Sequence, residues 1–324
     1  MLTELETYST IALYSGMIVY AIAFVFYVVD LANRSGDAHL AAPAGAKAQV
    51  SGQGGTATLV KPPRTSAPAK QPRSRWLRAG FALTVLGFLL HLAATVLRGI
   101  GAEHVPWANM YEFALTATVS AVGIFLIVQF FIDLRFLGTL VTGMTIMFLG
   151  IAKINYYVPI VPLVPALDSY WLVIHIIVAV LAVGFFTLSF GLSILQLLQT
   201  RRGSKVKAGD TESLAFMTSF PNPVRLEDLA YRLAIIGFAF WTFTLIAGSI
   251  WAEAAWSRYW GWDVKEIWTF IIWVLYAGFI HARATRGWRG TRSAWLNIVS
   301  YAAVIFNFSI VNVFFKGLHA YSGF

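Results

Sequence analysis

The residues best suited to chemistry in this chain are histidines. Four of the six occupy informative positions, within or beside long apolar segments: His91, His175, His281 and His319. An imidazole inside hydrocarbon is costly unless it has a partner, so His91 and His281 are functional candidates by their location. Neutral imidazole is a common metal ligand. Hydrogen bonding between helices is the alternative role for any one of the four.

A tryptophan-rich strip between Trp251 and Arg283 is the second group of residues suited to binding a ligand. It holds six of the chain's 12 tryptophans: Trp251, Trp256, Trp260, Trp262, Trp268 and Trp273. Tryptophan anchors helices at a membrane interface, and its π face can also lie against a planar ligand. An interfacial anchor needs fewer indoles than this, and the charged residues Asp263, Lys265 and Glu266 interrupt the strip. The strip therefore favours a surface that binds a planar ligand.

The composition defines the class of protein that must position these residues. Hydrophobic residues make up 58% of the 324 and charged residues 12%, and the mean hydropathy is +0.68. Such values exclude a soluble globule and predict a polytopic membrane protein. The net charge of +9 resides in short segments between apolar runs, which is typical of membrane topology. Without any cysteine, the chain cannot itself carry out thiol exchange.

Eight apolar segments are long enough to cross a bilayer, which predicts an all-α bundle of about eight transmembrane helices. They are residues 9–31, 77–98, 113–132, 136–154, 171–199, 230–251, 267–285 and 294–315. The fifth is longer than a span requires and should project beyond the membrane. The chain divides into a first transmembrane helix (1–31), a linker (32–76) and a membrane domain (77–324). The linker has almost no large apolar residue, so we expect it to be disordered.

Basic residues alternate between the connections and predict the orientation of the chain. Most lysines and arginines lie in the linker, in the connection after the fifth span and in the connection after the seventh. These three connections share one side of the membrane when eight spans are counted. By the positive-inside rule that side is cytoplasmic, so both termini and the tryptophan strip should face outward.

The strip resembles the motif of a known family. Its residues are Trp260, Gly261, Trp262 and Asp263, followed by Lys265, Glu266, Trp268, Trp273, Tyr276 and His281. The pattern is similar to the WWD motif of haem-handling membrane proteins of cytochrome c maturation, in the CcsA/ResC branch of System II, named CcsB in some bacteria. The resemblance extends from about Leu77 to the C-terminus. Ser257 and Val264 depart from it, because a glycine and a proline are usual there.

The resemblance implies c-type cytochrome biogenesis. Haem b, bound transiently as a substrate, would be presented on the outer side of a bacterial plasma membrane for covalent attachment to apocytochrome c. Two histidine pairs would be axial ligands of haem iron, one within the membrane and one beside the tryptophan surface. These implied pairs are His91 with His281 and His175 with His319. The further haem-binding residues that the resemblance implies are Trp256, Trp260, Trp262, Asp263 and Trp268.

The same resemblance implies three partners: a ResB-type membrane protein, a thioredoxin-like thiol reductant and apocytochrome c. With the ResB-type protein the chain would form a cytochrome c synthetase. Two other functions stay open, namely a cytochrome b-like electron-transfer subunit and a small-molecule transporter. The first leaves the tryptophan strip unexplained, and the second leaves the positions of the histidines unexplained.

Two groups of polar residues have two interpretations each. In the connection 101–112, Asn109 and Glu112 either cap the third span or belong to the site, and the role of His104 there also stays open. In the tryptophan strip, Lys265 is suited to the polar start of the seventh helix. Lys265 or Arg258 is also suited to binding haem propionates.

Overall fold

The structure is a computed structural model that describes residues 2–40, 74–160, 167–210, 213–285, 287–315 and 317–319. Its long helices are α1 (Leu2–Leu40), α2 (Arg75–Ala102), α3 (Met110–Val128), α4 (Gly138–Asn155), α5 (Tyr170–Lys207), α6 (Pro223–Trp256), α7 (Val264–Ala284) and α8 (Thr291–Phe306). A π-helical segment, Asn307–Val311, extends α8 into a short helical turn, Asn312–Phe314. Two short 3₁₀ helices are Arg135–Leu137 and Ala215–Ser219. These ranges contain no strand.

All eight long helices in the described part of the chain are long and apolar enough to cross a membrane. Backbone N–H and C=O groups have no water partner in hydrocarbon, and a helix satisfies them within one segment. Helix α5 is 38 residues long, more than a span requires, as its apolar run predicts. The prediction of a polytopic all-α bundle is confirmed.

The first helix is longer than predicted. It continues through residues 32–40, which we expected to belong to the disordered linker. An ion pair of 2.9 Å between Arg34 and Asp30, one turn apart, stabilises the helix where its apolar run ends. Residues 41–73 of the predicted linker lie outside the described residues.

The helices pack around two main apolar clusters, one formed by buried residues of α1 to α6 and the other by buried residues of α5 to α8. Helix α1 packs mainly on α2 and also on α4, whereas α5 packs mainly on α6. Helix α3 lies against α4 and α5, and α8 lies against α5 and α7. The connections after α2, α4 and α6 meet at one end, which we call the tryptophan end. There the Arg98 guanidinium at the end of α2 donates to the Val158 carbonyl, 2.7 Å away, in the connection after α4.

The geometry of the turn between α6 and α7 shows why a glycine and a proline are usual at the positions of Ser257 and Val264. Ser257 ends α6 in the left-handed conformation, with φ of 55°, which glycine adopts without steric cost. Val264 is the first residue of α7, the helix position that proline favours. Glu266 accepts hydrogen bonds from the amides of Gly261 and Asp263, at 2.8 and 3.0 Å, and so fixes the turn. The turn thus forms with serine and valine at these positions.

Candidate functional site

His175 and His319 meet at a single tryptophan. Trp251, buried near the end of α6, has its ring centroid 6.0 Å from that of His175 and 5.5 Å from that of His319. The His175 ring is nearly parallel to the indole, whereas the His319 ring meets it edge-on. Trp256 makes a further edge contact with His319 at 4.8 Å. The structure therefore brings together the two histidines predicted beside the tryptophan surface.

Asp263 orients the ring of His319. Nδ1 of His319 lies 2.8 Å from Oδ2 of Asp263. This hydrogen bond holds the pKa of the Asp263 carboxyl below its usual value, so the carboxylate is ionised at neutral pH and accepts the Nδ1 proton. A Cβ at Gly317 would overlap the Asp263 carboxylate, so a glycine there allows the chain to approach. The Nε2 atom of His319 remains for a ligand.

The ring of His175 is oriented in the same way by helix α6. Its Nδ1 atom lies 2.9 Å from the Thr244 carbonyl oxygen, which accepts the proton. One turn further along α6, a Cβ at Gly248 would lie 2.7 Å from Cε1 and 2.8 Å from Nδ1 of His175, so only a glycine leaves room for the ring. Within the described ranges, neither His175 nor His319 has a hydrogen bond through Nε2. Each imidazole thus keeps one nitrogen lone pair for a metal or proton.

A cavity of about 460 Å³ lies beside these rings. His175, His319, Trp251 and Lys265 line it, together with mainly apolar side chains of α3, α4, α5, α6 and α8. Its volume and lining are those of a small-molecule site, where a few polar groups fix the orientation of a largely apolar ligand. The lining of the cavity thus combines two imidazoles whose Nε2 atoms have no hydrogen bond within the described ranges with a large apolar surface.

The predicted tryptophans occupy different surroundings. The tryptophans lining the cavity in the described structure are Trp107, Trp241 and Trp251, and the predicted set Trp256, Trp260, Trp262 and Trp268 is not among its lining residues. Trp256 lies against the cluster formed by His175, Trp251 and His319, through ring contacts with Trp251 and His319. Trp260 and Trp262 contact each other, with Trp262 71% exposed, and Trp268 packs on Phe306 of α8 at 4.4 Å. The WWD turn thus forms an exposed surface next to the cavity.

The connection between α2 and α3 has a structural role at the tryptophan end. Asn109 caps α3 by accepting a hydrogen bond from the Glu112 amide at 3.0 Å. Glu112 forms a 2.8 Å ion pair with Arg98 of α2, and both side chains are buried. The capping interpretation of Asn109 is confirmed, and Asn109 also lines the cavity. Among the described residues, the hydrogen bond of the His104 ring is local, to the carbonyl of Val105.

The structure does not bring His91 and His281 together. His91 is fully buried in α2, where its ring meets Tyr20 of α1 edge-on at 6.1 Å. His281 is exposed in the last turn of α7. Helix α2 packs on α1 and α3, whereas α7 packs on α6 and α8. Their pairing as ligands of one iron stays a prediction.

Comparison with known proteins identifies the family. The cytochrome c assembly protein family matches residues 107–319, a range that includes Trp251, Asp263 and both histidines of the cluster. The chain belongs to this family. Its function is c-type cytochrome biogenesis, in a multi-pass membrane protein.

Relatives within the cytochrome c assembly family cover most of the chain. The cytochrome c biogenesis protein CcsA of Guillardia theta is 29% identical over 257 residues, 75% of this chain and 85% of that protein. CcsA of Synechococcus sp. (strain RCC307) is 30% identical over 277 residues, 78% of this chain and 88% of that protein. The resemblance to the CcsA branch is confirmed.

A solved structure shares the fold. The cytochrome c haem lyase CcmF superposes with a TM-score of 0.58 and 18% identity, over 92% of this chain and 46% of that protein. This cytochrome c assembly protein therefore spans about half the length of CcmF. The similarity supports the arrangement of the helices described above.

Several residues that shape the cavity in this cytochrome c assembly protein carry little signal in the sequence. Trp251 belongs to the tryptophan strip, yet its contact with both histidines depends on its burial near the end of α6. Thr244 and Gly248 lie four residues apart on α6. The Thr244 carbonyl accepts the hydrogen bond of His175, and Gly248 has no side chain to collide with the ring. A backbone carbonyl leaves no trace in residue type. Only the glycine, in an apolar helix, is a sequence signal of close approach.

Proposed function

We propose that this cytochrome c assembly protein binds haem b at the tryptophan end and presents it for covalent attachment to apocytochrome c. The observation that carries the proposal is the shared orientation of His175 and His319. Each donates Nδ1–H to an oxygen of the protein and keeps Nε2 for a ligand, and both line the same cavity. Oriented neutral imidazoles of this kind are the side chains that ligate haem iron.

The residues around the cavity suit a porphyrin. The apolar side chains of α3, α4, α5 and α8 would cover the macrocycle and exclude water. Trp251 contributes an aromatic ring next to both ligating histidines. Haem itself supplies the iron and the vinyl groups that become thioethers to the acceptor cysteines. The chain's residues hold the iron until a histidine of the acceptor replaces one of them.

The orientation and partners of the protein are part of the proposal. The basic connections after α1, α5 and α7 support a cytoplasmic position for that side, with the tryptophan end outside a bacterial plasma membrane. Since the chain has no cysteine, other proteins must keep the acceptor thiols reduced, and the family resemblance implies a thioredoxin-like reductant. A ResB-type membrane protein would complete the cytochrome c synthetase. The exposed WWD turn, with Trp262, is suited to contact with the acceptor or with this partner.

A second site within the membrane, using His91 and His281, is also proposed from the resemblance. His91 is fully buried in a helix apolar enough to cross the membrane, where an imidazole is costly, and this supports a functional role for it. Because α2 and α7 do not pack on each other, an iron ligated by His281 needs either a helix movement or a ligand from another chain. Replacing each histidine by alanine and measuring haem recovered with the protein tests whether the two act together.

Cytochrome c maturation in cells tests the proposed function. A bacterium that lacks its own CcsA-type protein would receive the full chain together with a ResB-type partner, and covalent haem in cytochrome c would be stained after denaturing electrophoresis. We expect holocytochrome c only when the chain is present, and haem absorption in the purified complex. Accumulation of apocytochrome c with a normally inserted chain, and no haem in the complex, would contradict the proposal.

A further inference from the structure

Among the described residues that line the proposed haem cavity, one is a lysine. Lys265, the second residue of α7, shares this lining with His175 and His319. Its neighbours in the chain do other work, because Asp263 caps the helix and Glu266 fixes the preceding turn. The remaining lining consists mainly of apolar and uncharged polar side chains. A cation at this position is costly unless something compensates for it.

Neutral oxygens satisfy only part of the Lys265 ammonium group. Its Nζ atom donates to the Asn307 carbonyl at 2.9 Å and to Oδ1 of Asn312 at 2.7 Å. Asn307 begins the π-helical segment that follows α8, and such segments are frequent at functional sites. An ammonium group has three donors, so one remains for another acceptor.

No carboxylate within the described ranges forms an ion pair with Lys265. Asp263, two residues before Lys265, bonds through Oδ2 to His319. The Oε2 atom of Glu266 accepts from two backbone amides, those of Gly261 and Asp263. No carboxylate of the described residues therefore contacts Nζ of Lys265, and two neutral oxygens hold the side chain in place.

Arg258, the other cation of this turn, is occupied elsewhere. Its guanidinium lies over the backbone of the turn and donates to the Gly261 carbonyl at 3.4 Å. Arg258 is not among the residues that line the cavity. Of Lys265 and Arg258, the two residues that the sequence suggests for propionate binding, Lys265 is the one that lines the cavity with both histidines.

We propose that Lys265 binds a carboxylate of the cavity's ligand and makes the site selective for a porphyrin with free propionate groups. This inference rests on the proposed haem-binding function, and it assigns Lys265 to the edge of the porphyrin that carries the propionates. A carboxylate that meets the third donor of Lys265 forms a charge-assisted hydrogen bond in a largely apolar cavity. It also places a negative charge in direct contact with Nζ, which no carboxylate of the described residues does.

Binding of haem and of haem dimethyl ester to the purified full chain tests this inference. The ester keeps the iron, the macrocycle and the vinyl groups but has no negative charge on its side chains. We expect wild-type protein to bind haem about 10- to 100-fold more tightly than the diester, as measured by titration of the absorption spectrum. Equal affinities would overturn the role of Lys265 and leave haem binding itself intact. If neither ligand bound, the proposed function would fail as well.

Variants at two positions assign the preference to one side chain. Lys265→Met should bind haem and the diester with equal affinity, whereas Lys265→Arg should retain the preference because it retains the charge. Arg258→Gln is the matched control, since Arg258 lies in the same turn but outside the cavity lining, and it should behave like wild type. A wild-type preference in Lys265→Met, or its loss in Arg258→Gln alone, would overturn the proposal. The wild-type comparison decides the matter even if Lys265→Met folds poorly.

Discussion

The Nδ1 atom of His319 lies 2.8 Å from Oδ2 of Asp263, the residue that also caps helix α7. One carboxylate therefore sets both the start of the helix and the direction of the imidazole. This relationship gives the aspartate of the WWD motif a physical role. It fixes the histidine's tautomer and leaves Nε2 for a ligand.

The substitution Asp263→Asn separates these two roles. Asparagine caps helices about as well as aspartate, so α7 should still form and the protein should still insert. The amide is uncharged and holds the imidazole less firmly, so haem affinity should fall about 10- to 100-fold. The measurements are haem titration and immunoblotting of the membrane fraction. Asn222→Asp, at the cap of α6, is the control and should be neutral. Wild-type haem affinity in Asp263→Asn would show that the bond to His319 is incidental.

The substitution Gly248→Ala tests the packing that orients His175. The added methyl would lie within 2.8 Å of two ring atoms and should displace the ring from the Thr244 carbonyl, at a cost of about 1–3 kcal/mol. Cytochrome c maturation, followed by haem staining, should decrease. The matched control is Gly278→Ala on α7, where no heavy atom lies within 4 Å of the new methyl. That change should be neutral or stabilise the helix by up to about 1 kcal/mol. Equal behaviour of the two variants would argue against a constrained His175.

Two tryptophans of the strip should differ in their importance. Trp251→Phe removes part of a buried indole that contacts both histidines, and each aromatic contact contributes about 0.5–1.5 kcal/mol. Trp262→Phe changes a side chain that is 71% exposed and keeps most of its apolar area. We expect weaker haem binding in the first variant and unchanged haem binding in the second. A stronger loss in Trp262→Phe than in Trp251→Phe would move the haem site to the exposed WWD surface.

The ion pair of Arg98 and Glu112 should contribute to stability rather than to haem ligation. Glu112→Gln leaves a buried arginine without its countercharge and should destabilise the protein by about 3–5 kcal/mol. Replacing both residues by methionine should restore much of this loss, because no uncompensated charge remains. Thermal unfolding of the purified protein measures both effects. Arg232→Gln breaks an exposed ion pair and should have an effect of at most about 1 kcal/mol. A double variant less stable than Glu112→Gln would contradict this account.

The helices were predictable because membrane thickness sets the length of an apolar run. The grouping of His175 and His319 was expected only from the family resemblance. The relation between His91 and His281 was not predictable, because an apolar run does not show which face of a helix packs inward. His281 lies in such a run yet is exposed, and His91 lies in another and is buried. Likewise, spacing along the chain did not separate Trp251, at the cavity, from Trp262, which points away from the core.

The central claim is that His175 and His319 ligate haem iron, and the absorption spectrum of the haem-loaded chain tests it most directly. The starting protein carries His91→Ala and His281→Ala. Of the four proposed haem ligands, it therefore retains His175 and His319. We expect a low-spin, six-coordinate haem spectrum in this protein. It should become high-spin when either His175 or His319 is also replaced by alanine, and added imidazole should restore the low-spin form. A spectrum that stays unchanged after both replacements would contradict the claim.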